Sequence, residues 1–120
     1  MAVKKLQNVY LAAADMGASR HFYEAVIGLE PRFADGERWT QYAAAGGGSF
    51  AVAAPQECPD GMAGAVAVFE VDDLDAHAAR LVAAGIPVLA RRDMGAHGRV
   101  LTVRDPSGNL VQLFARAPAA

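Results

Sequence analysis

The chain has a single cysteine, Cys58, so no disulfide can close within it and no thiolate-rich zinc site can form. It has no basic excess: 11 Lys and Arg stand against 13 Asp and Glu, a formal net charge of −2. Nucleic-acid binding draws on positive charge that displaces counterions from phosphates, so nucleic acid is not an expected partner, and the pair Arg91-Arg92 is too short to change that. No apolar run reaches the roughly 18 residues a membrane helix needs, and Met1–Asn8 lacks the apolar core of a secretory signal. A cytoplasmic protein that does not engage membranes is expected. Charged residues are only 20% of the chain and hydrophobic ones 53%, which excludes a disordered polymer. The 120 residues suffice for one domain with a buried core.

What is present is an internal repeat. Val9–Asp15 is a strand-like run ending in an acid, followed by a helical pattern over Met16–Ile27 and then Gly28-Leu29-Glu30-Pro31. Ala67–Asp73 repeats the strand and acid, Leu74–Ala84 the helix, and Gly85-Ile86-Pro87 the stop. Asp15 and Asp73 lie 58 residues apart, Gly28 and Gly85 57 apart. The acids suit a helix N-terminus; the glycines and prolines suit a helix end. Strand signals follow each helix, at about 29–33, 38–44 and 49–54, and again at 88–91, 99–104 and 110–115. Asp35-Gly36, Gly46-Gly47-Gly48 and Asp105–Asn109 mark the turns. Each half therefore reads strand-helix-strand-strand-strand. Module one is about 1–55, a Pro/Gly-bearing linker about 55–64, and module two about 65–117, all within one domain.

Three segments resemble the vicinal oxygen chelate superfamily, also called the glyoxalase / bleomycin-resistance / extradiol-dioxygenase superfamily. They are Asn8-Val9-Tyr10-Leu11 through Ile27-Gly28-Leu29, then Phe69–Ala76, then His97-Gly98-Arg99 through Asp105-Pro106-Ser107-Gly108-Asn109 and Gln112-Leu113. The resemblance implies an α+β fold in which two βαβββ modules form an eight-stranded U-shaped cup with helices on its outer face. It also implies a homodimer. The superfamily hosts lyases, isomerases, dioxygenases, antibiotic-modifying transferases and drug-binding proteins, so the site must decide the function.

Members with a metal hold it with four side chains, one from each of four strands. Carried onto this chain, those positions are Asn8, Val52, Val66 and Gln112; the register at Val52 is open by one residue, to Ala51 or Ala53. The repeat supports the set: Asn8 and Val66 are 58 apart, Val52 and Gln112 60 apart. Valine offers no lone pair, and neutral carboxamides are weak ligands for a catalytic divalent ion. No metal and no other cofactor is expected. Asn8 and Gln112 either orient a ligand or hydrogen-bond to each other or to water.

Side chains alternate across a strand. Asn8 then brings Leu6, Tyr10 and Ala12 to the inner face, Val52 brings Phe50 and Ala54, Val66 brings Val68 and Glu70, and Gln112 brings Leu110 and Phe114. Trp39 or Gln41 adds to the wall. Arg99 and His97 stand at the mouth. This apolar lining with a few polar anchors suits a small molecule. The leading expectation is a metal-free protein that binds an amphipathic or aromatic ligand. An acid/base isomerase or lyase acting on a ketone-bearing metabolite is the alternative, with Glu70, Tyr10 or His97 as candidate catalytic groups. A metal-dependent lyase or dioxygenase, and a module whose cup is filled by its own side chains, complete the set. His21 and His77 read as exposed helix residues and Cys58 as inert.

Overall fold

The computed structural model describes residues 7–58 and 64–118; Leu6 and positions 59–63 of the expected linker lie outside them. The chain divides between residues 63 and 64 into two compact units. The first runs β1 (Val9–Ala12), α1 (Met16–His21) continuing as a π-helical segment (Phe22–Ile27), β2 (Glu30–Asp35), β3 (Trp39–Ala43) and β4 (Ser49–Ala53). The second runs β5 (Ala67–Glu70), α2 (Leu74–Ala83), β6 (Ala90–Asp93), β7 (Arg99–Arg104) and β8 (Leu110–Ala115). Each builds a four-stranded sheet on one plan, in the orders β1-β4-β3-β2 and β5-β8-β7-β6. The first and last strands of each unit pair in parallel and the other neighbours antiparallel. The fold is thus α+β, two βαβββ modules.

The repeat's local devices work as the residue types dictate. The Asp15 and Asp73 carboxylates accept the Ala18 and Ala76 N–H groups, each at 3.0 Å, and so cap the two helices. Gly28 (φ 96°) and Gly85 (φ 75°) take the left-handed conformation that ends them. The first helical stretch departs from the simple α-helix its periodicity predicts. From Phe22 it winds wider, and Gly28 N–H reaches back five residues to the Tyr23 carbonyl at 3.1 Å. The segment buries Phe22, Tyr23, Val26 and Ile27.

One face of each sheet packs on its unit's helix. In the first unit, Tyr23 meets Phe50 with ring centroids 4.9 Å apart, Tyr42 Oη donates to Glu24 at 2.9 Å, and Thr40 Oγ1 lies 3.5 Å from Met16 Sδ. Thr40 pairs with Val52 and Tyr42 with Phe50, so all four side chains share that face, and all are buried. The expected placement of Phe50 and Val52 on the open face is therefore corrected: β4 is turned by one residue, and Ser49, Ala51 and Ala53 point the other way. The repeat agrees. Gly47 and Gly108, both of positive φ, lie 61 residues apart, and that offset matches Gln112 with Ala51 rather than Val52. In the second unit, Leu74, Ala78 and Leu81 of α2 are buried, as are Leu101, Val103, Val111 and Leu113 on the sheet face it packs against.

Candidate functional site

The open face of the first sheet is furnished by its own aromatics. β4 lies between β1 and β3, so Tyr10 and Trp39 stand two strand spacings apart, about 10 Å. Their partners in register are Ala51 and Ala53. Over these small side chains the two rings meet, centroids 5.1 Å apart and tilted by 53°. Trp39 Nε1 donates to Gln41 Oε1 at 3.2 Å, and Gln41 Nε2 to Ser49 Oγ at 3.1 Å. Asn8, just before β1, has a buried Oδ1 with no hydrogen-bond partner.

The open face of the second sheet is a grid in two rows. Arg92, Val100, Phe114 and Glu70 stand side by side across β6, β7, β8 and β5; Ala90, Thr102, Gln112 and Val68 form the next row. Seven of these eight, all but Glu70, together with Met94, line a concavity of about 340 Å³. Its walls are apolar, through Val68, Val100, Phe114 and Met94. Its floor carries one polar pair, with Gln112 Nε2 donating to Thr102 Oγ1 at 3.2 Å. Arg92 is the only charged side chain in the lining. Val68, Gln112 and Phe114 were expected in such a lining. Ala90, Arg92, Met94, Val100 and Thr102 were not, although the same two-residue alternation applied to β6 and β7 points to four of them. Val66 lies just before β5 and is exposed.

Other candidates are placed differently. Arg99 is in phase with Leu101 and Val103, and its guanidinium reaches Asp75 of α2 at 3.3 Å; it belongs to the helix side, and its expected place at the mouth is corrected. Glu70 reaches the open face but is half exposed, paired with Arg116 at 3.1 Å and outside the lining of the concavity. Arg116 also lies 6.0 Å from the Phe114 ring centroid. His97 is exposed in the turn Gly95–His97 and His21 is exposed on α1. His77 is half-buried, which corrects its reading as exposed; its Nδ1 has no partner, and burial, then Arg80, pull its pKa down. The Cys58 thiol donates to the Ala54 carbonyl at 3.5 Å, and burial, then Glu57, push its pKa up, away from the reactive thiolate.

With the register corrected, the four positions that the resemblance implies for metal ligands hold Asn8, Ala51, Val66 and Gln112. Two have no donor atom, and Asn8 and Gln112 offer only neutral carboxamide oxygens. Among the described residues, no three of His, Cys, Asp and Glu come together as a metal would require. This donor set does not fit a catalytic divalent ion.

Comparison with known proteins gives a consistent picture. The sequence profile of the Glyoxalase/Bleomycin resistance protein/Dioxygenase superfamily matches residues 5–113. No curated protein matches. Among solved structures, a lactoylglutathione lyase from Agrobacterium tumefaciens is similar with a TM-score of 0.78 and 22% identity, over 96% of both chains. An antibiotic binding protein from Streptomyces sp. CB03234 is similar with a TM-score of 0.74 and 26% identity, over 98% of this chain and 99% of that one. A glyoxalase/dioxygenase from Nostoc punctiforme has a TM-score of 0.77 at 18% identity, over 96% and 92%.

Proposed function

We propose a binding function, on the premise that the chain belongs to the glyoxalase/bleomycin resistance protein/dioxygenase superfamily: it is a metal-free protein that holds the apolar or aromatic part of an amphipathic small molecule against the open face of its second sheet. The observation that carries this reading is the concavity itself, five apolar side chains around the Thr102–Gln112 pair. Its volume lies at the small end of ligand sites. Apolar burial supplies affinity, at about 25 cal/mol per Å² removed from water, and the carboxamide and hydroxyl orient a polar group. The likeness to an antibiotic binding protein supports the same class of function. The active unit in this reading is a homodimer.

The test is a fluorescence titration with N-phenyl-1-naphthylamine, a neutral aromatic probe, with and without EDTA. Saturable binding unchanged by EDTA is expected. Val68 is 55% exposed, so Val68→Glu leaves the fold intact while placing a charge on the apolar wall; at least a fivefold loss of affinity is expected. Absence of saturable binding, or its loss on chelation, overturns the reading. A native mass spectrum of protein purified without chelator is expected to give a dimer without a divalent ion.

A further inference from the structure

One cationic side chain and no acidic one line the concavity, and from this we infer that its ligand is an organic anion: an apolar or aromatic body bearing a carboxylate, sulfonate or phosphate that docks on Arg92. The inference rests on the binding function proposed above and specifies the class of ligand.

Arg92 lies on edge strand β6, in register with Val100 and in one row with Phe114. Among the described residues its guanidinium has no ion pair and no hydrogen-bonded partner. The acids that could neutralise it are committed elsewhere. Glu70, at the far end of the same row, stands three strand spacings away, about 14 Å, and is held by Arg116. Asp93 is the next residue but points to the opposite face, where its carboxylate accepts Gly95 N–H at 2.8 Å. Asp75 is paired with Arg99 on the helix side.

Four other arginines among the described residues are paired with acids: Arg20 with Glu24, Arg38 with Asp35, Arg99 with Asp75 and Arg116 with Glu70. A planar five-donor fork left open beside an aromatic and three aliphatic side chains is the complement of a flat acid. The donors on the floor extend the match. Gln112 carries amide N–H donors as well as its oxygen, and Thr102 a hydroxyl, both able to bond a second oxygen of the ligand. A cationic ligand would meet Arg92 with repulsion and find no carboxylate in the lining, which disfavours it despite the chain's net charge of −2.

The experiment compares two probes that differ by one group. 8-Anilinonaphthalene-1-sulfonate carries a sulfonate on the ring framework of N-phenyl-1-naphthylamine. The wild-type protein is expected to bind the sulfonate at least tenfold more tightly than the neutral probe, a difference of about 1.4 kcal/mol, and the ratio is expected to shrink at 0.5 M salt. Arg92→Gln is expected to abolish the tenfold preference, read as the ratio of the two probes' affinities within the same variant; Arg92→Lys restores most of the preference. Arg92 is exposed on an edge strand, so a thermal melt matching wild type accompanies these variants. If both probes bind equally, or if Arg92→Gln leaves the preference intact, the anion inference falls and the binding function stands. If neither probe binds, both fall.

Discussion

At Gly98 the backbone has φ +94°, and a Cβ added there would meet the Phe114 ring at 2.8 Å and the Ala115 carbonyl oxygen closer still. Gly98→Ala is therefore expected to lose about 2 kcal/mol in urea unfolding, through backbone strain and displacement of the ring that walls the concavity. Asp105 is buried, 5% exposed, and its carboxylate accepts Ser107 N–H at 3.0 Å, Asn109 N–H at 2.8 Å and Asn109 Nδ2 at 2.8 Å. Asp105→Ala leaves these donors without their acceptor and is expected to cost about 2 kcal/mol, read as a shift of the urea midpoint at unchanged slope. The Asp105–Asn109 turn was legible because its chemistry is local: an acid, a proline, a glycine and an asparagine within five residues. The crowding at Gly98 was not legible, since it depends on Phe114 and Ala115, brought there by β7–β8 pairing.

At the scale of elements, the π-helical segment is tied to β3 through one network. Arg20 Nε donates to Glu24 at 2.7 Å, and the buried Tyr42 Oη donates to the same carboxylate at 2.9 Å. The bond from Arg20, opposed by burial and aided by Tyr42, holds the Glu24 carboxyl below its ordinary range. Burial, then the bond to Glu24, pushes the Tyr42 phenol above its ordinary value. The signs differ. Glu24 has its lower pKa in the folded state, so its contribution is complete above the ordinary carboxylate range and is lost as pH falls through its folded value. Tyr42 has its higher pKa in the folded state, so its contribution is complete below about pH 10 and is lost as pH rises further. Stability measured from pH 3 to 11 is expected to fall at both ends. Glu24→Gln flattens the acid limb, and Tyr42→Phe reduces the alkaline slope and costs about 1 kcal/mol near neutrality. The wider helical turn behind this network had no signal in the apolar periodicity, which suits either winding.

For the whole molecule, the repeated plan leaves two sheet faces with different fates. On the first, Tyr10 and Trp39 close over Ala51 and Ala53; on the second, Val68, Gln112 and Phe114 leave room. A ligand that binds only the folded chain stabilises it by mass action. The naphthalene sulfonate at 100 times its dissociation constant is expected to raise unfolding free energy by about 2.7 kcal/mol, and EDTA is expected to leave the melting curve unchanged. A fall in melting temperature on chelation would contradict the metal-free function.

The repeat, the helix caps and stops, the turns, the order of elements along each module and the family were legible in residue order alone, because these rest on local chemistry and on spacing. Residue identity also leaves two of the four metal positions without a donor, since Val66 has none and neither Val52 nor Ala51 has one. Tertiary structure alone decided which way β4 faces. Phe50-Ala51-Val52-Ala53 is apolar at every position and buried throughout, so no alternation of polarity marks its phase. In β8 the single polar Gln112 marks the phase, and Gln112 and Phe114 share the face that lines the concavity. Arg99 and Arg92 make the same point: both are exposed strand arginines, and only pairing across β6 and β7 sends one to Asp75 and leaves the other in the lining of the apolar concavity.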